Sequence, residues 1–97
     1  MSSGDATLDR ALHAIADPTR RRILQALKQG GAETKGAQLC AGDVEERVRL
    51  SQPTISHHMS ILTKAGLVEA NKKGQWRWYR RNEKAIRAVV KRLRSEL

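Results

Sequence analysis

Apolar residues fall into a helical rhythm in five stretches of the chain and into an alternating rhythm in one. Between Asp5 and Ala16, Leu8, Leu12 and Ile15 recur at i, i+4 and i+7. A second helix carries Ile23, Leu24 and Leu27, a short third one Val44 and Val48, and a fourth Ile55, Met59 and Leu62. The last, from Glu83 to Leu97, aligns Ile86, Val89, Val90, Leu93 and Leu97 on one stripe. The stretch between the last two, "LVEANKKGQWRWYRR", alternates in part around Lys73-Gly74 and predicts a β-hairpin.

The residues between these runs supply the boundaries. Asp17 before Pro18 combines a capping carboxylate with the residue best suited to a first helical position. Gly30 and Gly31 predict the end of that helix. A loop follows, with a short strand at Ala37 to Cys40. Asp43, with Glu46 three residues on, reads as the cap of the short helix. Arg49 and Leu50 make a turn, Ser51 caps the next helix with Pro53 in its first turn, and Gly66 ends it.

Helix, helix, short helix, tight turn, helix, hairpin, helix is the order of a winged helix-turn-helix, mainly α with a β-hairpin wing. The reading is one domain over 5–97 behind a disordered lead at 1–4. The helix-turn-helix occupies about 43–65, the wing about 67–81 and the C-terminal helix about 83–97.

Charge narrows the partner. The chain has 97 residues with 19 Lys and Arg against 10 Asp and Glu, a formal net charge of +9. That excess points to a polyanion, nucleic acid before an anionic membrane surface, against the alternative of a merely solvated basic face. Phe is absent, so the core rests on Leu, Ile, Val and Ala. The single cysteine, Cys40, rules out a disulfide within one chain. No apolar run approaches the roughly 20 residues that span a bilayer. The N-terminus has no apolar targeting core, so the expected location is the cytoplasm.

A helical wheel of residues 52–65, at about 100° per residue, gathers Ile55, Met59 and Leu62 on the core side with His58 and Ala65 beside them. Opposite lie Pro53, His57, Ser60 and Lys64, flanked by Thr54 and Ser56. This face has no acid and one long cation. Short donors and acceptors approach base edges closely, and a major groove admits a helix. The N-terminal residues of such a helix reach the bases, which selects Gln52, Thr54, Ser56 and His57. His58 reads as a packed, hydrogen-bonded core residue. The hairpin adds Lys72, Lys73, Arg77, Arg80 and Arg81 for the phosphate backbone or minor groove. Trp76 and Trp78 share a strand face and read as packed under the wing rather than as base-stacking groups, with Tyr79 and Arg77 on the other face. Arg20, Arg21 and Arg22 cannot all point inward; phosphate contact and a solvated face both remain open.

Three segments carry a family resemblance: "DPTRRRIL" at 17–24, "LSQPTISHHMSILTKAGLV" at 50–68 and "KGQWRWYR" at 73–80. Through them the chain resembles the ArsR family of small bacterial winged helix-turn-helix repressors over nearly its whole length. The resemblance implies a homodimer on palindromic double-stranded operator DNA. It places readout on Gln52, Thr54, Ser56, His57 and Ser60. It assigns dimerisation to the terminal helices, hence to Leu8, Leu12, Ile15, Ile86, Val89, Val90 and Leu93. Many members release DNA on binding a metal, and here the chain departs from the pattern. The Cys-x-Cys site of the arsenic- and cadmium-type members aligns with "LCAGDV", which keeps Cys40 but has Gly42 in place of the second thiolate. The zinc- and nickel-type site needs histidines on the last helix, and 83–97 has none. His57 and His58 point about 100° apart on one helix and cannot share an ion. His13 with Asp9 is the one same-face pair. Neither a metal effector nor a cofactor is expected.

Two rivals remain at this level: a basic RNA-binding protein, and a helix-turn-helix module kept for protein–protein contact. The first predicts stacking aromatics on an open surface, and the three aromatics all lie within 76–79. The Ser/Thr/Gln face argues against the second. An enzyme is not expected from the residues present, which include no Gly-rich phosphate loop, no metal-ligand cluster and no nucleophile close in sequence to a base.

Overall fold

The computed structural model describes residues 3–33 and 38–97. Its elements, in chain order, are α1 (Ser3–Ile15), α2 (Pro18–Glu33), β1 (Leu39–Cys40), α3 (Ala41–Val48), α4 (Gln52–Lys64), β2 (Val68–Lys73), β3 (Trp76–Arg81) and α5 (Glu83–Glu96). The winged helix-turn-helix order holds throughout. Of the expected lead, Met1 and Ser2 lie outside the described residues, and the backbone is already helical at Ser3.

The helices start where the chain offers caps. The Asp17 carboxylate accepts the backbone N–H of Thr19 at 2.7 Å and of Arg20 at 3.2 Å, satisfying donors that the first turn of α2 leaves over. Asn82 does the same for α5, accepting from the N–H of Ala85 at 3.1 Å. One expected cap is corrected, and another holds without its side-chain bond. Asp43 lies inside the first turn of α3, where Cys40 is the backbone N-cap, and its carboxylate accepts the Cys40 thiol at 3.1 Å. Ser51 is the N-cap of α4 by backbone conformation, but its hydroxyl pairs with Thr54 Oγ1 at 3.0 Å instead of an amide.

The expected stop at Gly30-Gly31 is also corrected: α2 runs on to Glu33. Gly30 serves packing rather than termination. A Cβ at that position would lie 2.5 Å from Leu39 Cδ1 and 2.9 Å from its Cγ. The missing side chain lets β1 close onto α2, with Leu39 fully buried between them. The expected short strand at 37–40 is seen at Leu39–Cys40, while Ala37 falls outside the described residues.

The three strands form one antiparallel sheet in the order β1-β3-β2, with Leu39 opposite Tyr79 and Val68 opposite Arg81. Lys73 pairs with Trp76 across a two-residue loop whose first residue, Gly74, has φ +61°. Positive φ at that loop position suits glycine and fits the right-handed twist of the strands. The register puts Val68, Ala70 and Tyr79 on one face and Trp76 and Trp78 on the other. Tyr79 enters the core, whereas Trp76 is 58% exposed and Trp78 half-buried, so packing of both tryptophans under the wing is corrected within the protomer. Both tryptophans stand on the sheet face opposite the one through which Tyr79 enters the core.

The core joins Ile23 and Leu27 of α2, Val44 and Val48 of α3, Ile55, Met59 and Leu62 of α4, and Leu39, Leu67, Val68 and Tyr79 around the sheet. The turn between α3 and α4 hinges on Arg49, a non-glycine residue at φ 57°, ψ 47°, whose N–H closes on Glu45 O at 2.8 Å. That left-handed residue swings α4 across α3. Gly30→Ala tests the packing: alanine favours a helix by ~1 kcal/mol over glycine, yet the crowded Leu39 should make the variant about 1–3 kcal/mol less stable. A urea midpoint at or above wild type would refute this account of Gly30.

Candidate nucleic-acid interface

Half of α4 is anchored and half is free. Ile55, Met59 and Leu62 are buried, while Gln52, Pro53, Ser56, His57, Ser60 and Lys64 are exposed and Thr54 is half-buried against the Ser51 hydroxyl. The helix therefore presents hydroxyls, one amide and one imidazole along its outer side. Ile55 N bonds to Ser51 O at 2.9 Å, so α4 is a regular helix from its first turn. Pro53, within that first turn, gives up an N–H that would have had no helical acceptor.

The wing supplies free cations in part. Lys72, Lys73 and Arg77 are exposed near the hairpin tip. Two other wing cations are already engaged. Arg80 reaches Glu69 Oε2 at 3.4 Å, and Arg81 holds Glu83 Oε2 at 2.8 Å while pointing Nη1 at Leu24 O, 3.4 Å away. Arg81 thus ties the wing to α2 and α5, and Lys72, Lys73 and Arg77 are the exposed cations near the hairpin tip.

The arginine triplet resolves into helix-end contacts. Arg20 is buried at 7% exposure. Its Nε donates to Ala14 O at 2.6 Å and its Nη2 to His13 O at 3.1 Å, carbonyls at the C-terminal end of α1. Its Nη1 lies 3.2 Å from His58 Nδ1 on α4 and 3.9 Å from the Asp17 carboxylate. Arg21 donates to Ile15 O at 2.6 Å, and Arg22 to Val48 O, at the end of α3, at 2.9 Å. Cations at helix C-termini meet orphan carbonyls and the negative end of the helix dipole. The sequence signal for this existed: the arginines directly follow the end of α1, and consecutive residues of a helix fan out by about 100°.

His58 is the packed, hydrogen-bonded histidine the wheel implied, and its ring meets that of His57 edge-on at 5.4 Å between centroids. Burial lowers its pKa; the Asp17 carboxylate opposes and the Arg20 guanidinium reinforces the shift, leaving it below 6.5. Burial pushes the Asp17 carboxyl up, but the N–H groups of Arg20 and Thr19 and the Arg20 charge outweigh this and leave it lowered.

Among the described residues, no three or more His, Cys, Asp or Glu side chains gather in a way that would hold a metal ion. Cys40 has Asp43 as its partner and Gly42 on the exposed side. No helix among these residues is long and apolar enough to cross a membrane.

The expected dimer residues differ in what they leave open. Leu8 is buried within the protomer, Leu12, Ile15, Ile86, Val89 and Leu93 are half-buried, and Val90 is 51% exposed. No residue of α5 is buried, although it carries an unbroken apolar stripe.

Comparison with known proteins agrees with this arrangement. Residues 17–70 match the family model described as bacterial regulatory protein, arsR family. The chain is 38% identical over 83 residues to the transcriptional repressor SdpR of Bacillus subtilis, covering 86% of this chain and 84% of that protein. It is 35% identical over 86 residues to the arsenical resistance operon repressor of Staphylococcus aureus, covering 89% of this chain and 76% of the other. The solved structure of an ArsR-like transcriptional regulator from Rhodococcus sp. RHA1 superposes with a TM-score of 0.79 at 26% identity, over 97% of this chain and 82% of that one.

Two outcomes test the Arg20 cluster. Arg20→Ala should cost about 3 kcal/mol in urea unfolding by stranding buried acceptors. Arg20→Lys should recover less than half of this, because one ammonium cannot span three acceptors; full recovery would refute the geometry. Acid should also weaken the fold in two steps. Neutral His58 contributes fully above pH 6.5, and that contribution fades as pH falls through its lowered value; that of Asp17 persists down to 3.8 and fades below it. His58→Asn should abolish the upper step in a plot of urea midpoint against pH.

Proposed function

Because this chain belongs to the ArsR family of bacterial regulatory proteins, we propose that it is a cytoplasmic homodimer that represses transcription by reading operator DNA through α4 and gripping the backbone with its wing. It is a DNA-binding regulator, not an enzyme. The observation that carries the reading is the two-sided character of α4. Its apolar residues anchor it in the core, while Gln52, Ser56, His57 and Ser60 stand exposed with no acid among them.

In this reading, Gln52, Thr54, Ser56, His57 and Ser60 meet base edges in the major groove, and Lys64 meets phosphate. Lys72, Lys73 and Arg77 track the adjoining backbone or minor groove. Pairing through α1 and α5 buries the stripe of Leu12, Ile15, Ile86, Val89, Val90 and Leu93, with Leu8 supporting it from within the protomer. Two copies then set their α4 helices about 34 Å apart, one turn of duplex. Occupying a promoter in this way excludes RNA polymerase. The donor set around Cys40 and on α5 supports a regulator without a metal effector.

Selection of duplexes from a random library, followed by titration at several salt concentrations, tests the reading. Gln52→Ala or Ser56→Ala should cost about 1–3 kcal/mol on the selected sequence and relax its preference. Lys73→Ala or Arg77→Ala should weaken binding to all duplexes alike and reduce the salt slope by about one. Retention of full selectivity by both α4 variants would remove α4 from the base contacts. Val90→Glu should yield monomers in sedimentation, and an unaltered dimer would exclude α5 from the interface.

A further inference from the structure

Resting on the reading of α4 as the groove helix, we infer that Arg20, acting through His58, is a positioning residue for base recognition: it fixes the angle of α4 against α1, and does so only while His58 Nδ1 carries no proton. The guanidinium touches both elements at once, through Ala14 O and His13 O at the end of α1 and through His58 Nδ1 at 3.2 Å in the middle of α4. Arginine has donors only and keeps its charge, so Nδ1 must be the acceptor and the imidazole proton must sit on Nε2. Around that ring stand Asp17 from the α1–α2 turn, Arg20 from α2 and His57 from α4 itself, while α1 contributes backbone carbonyls. A proton on Nδ1 removes the acceptor and sets a second cation against the guanidinium. The Asp17 carboxylate, 3.9 Å from Arg20 Nη1, counters that repulsion, so what opposes the proton is the burial of the ring and what loosens the joint is the lost acceptor.

The effect on DNA follows from the dimensions of α4. Its 13 residues make a rod of about 20 Å. A tilt of roughly 6° about the middle therefore moves an end by about 1 Å, enough to spoil hydrogen bonds to base edges. Lysine and arginine contacts to phosphate follow such a shift by rotamer changes. Loosening the joint should thus reduce selectivity rather than general affinity.

The test measures affinity for a duplex selected at pH 7.5 and for a scrambled duplex of equal length, at fixed ionic strength, between pH 7.5 and 5.5. The selected-to-scrambled affinity ratio of the wild type should fall as His58 gains its proton, by about tenfold at completion, the size of one hydrogen bond to a charged group, while scrambled-duplex binding persists. Unfolding would abolish both affinities together. The ratio should lose most of its pH dependence in His58→Asn and should keep the wild-type fall in His13→Asn. Arg20→Lys should show a lowered ratio already at pH 7.5. A flat wild-type profile, or an undiminished fall in His58→Asn, overturns the inference and leaves α4 as the reading helix. Absence of selective binding at pH 7.5 overturns both. Should His58→Asn fail to fold, the wild-type profile and Arg20→Lys still decide.

Discussion

The burial of one guanidinium organises this molecule. Arg20 is charged, has several donors and is almost wholly removed from water. A buried charge persists only if its donors are met and opposite charge is near. Those acceptors come from three places: the last turn of α1, the Asp17 cap and His58 of α4. Satisfying the arginine therefore fixes how the first, second and fourth helices meet. The flanking arginines extend the theme, Arg21 at the same helix end and Arg22 at the end of α3.

Around this polar joint the apolar core is small and aliphatic, with Tyr79 as its one aromatic. Close contact substitutes for bulk. Gly30 admits Leu39, and the left-handed Arg49 turns the chain so that α4 lies across α3. The outer half of α4 is left uncovered because every residue able to drive its burial is already used on the inner half. A helix so anchored loses little conformational entropy on binding a partner.

The positive charge divides between groups engaged within the protomer and groups that stand exposed, the latter including Lys84, Arg87, Lys91 and Arg94 on α5. Arg20, Arg21, Arg22, Arg80 and Arg81 are held by carbonyls or carboxylates, while Lys64, Lys72, Lys73 and Arg77 stand exposed along α4 and at the wing tip. Arginine, with its planar fork, suits fixed structural contacts, and lysine, a mobile point charge, suits a phosphate backbone approached at varying angles.

Periodicity and punctuation alone determined the element order, the inner and outer faces of α4, the hairpin with its turn at Gly74 and the cap at Asp17, because these depend on residues within a few positions of one another. Only the tertiary structure decided the roles that depend on distant neighbours. Gly30 looked like a helix stop until Leu39 was seen against it. Asp43 reads as a cap but its carboxylate takes the Cys40 thiol, and Ser51, the N-cap of α4, pairs its hydroxyl with Thr54 rather than with an amide. The arginine triplet had open readings because its acceptors, on α1, α3 and α4, come together only when the chain folds. The tryptophans read as packed because alternation puts them on one face but does not say which face of the sheet the core covers. Local sequence fixes dihedral preference and face; contact requires the other partner's position, which no short window of sequence contains.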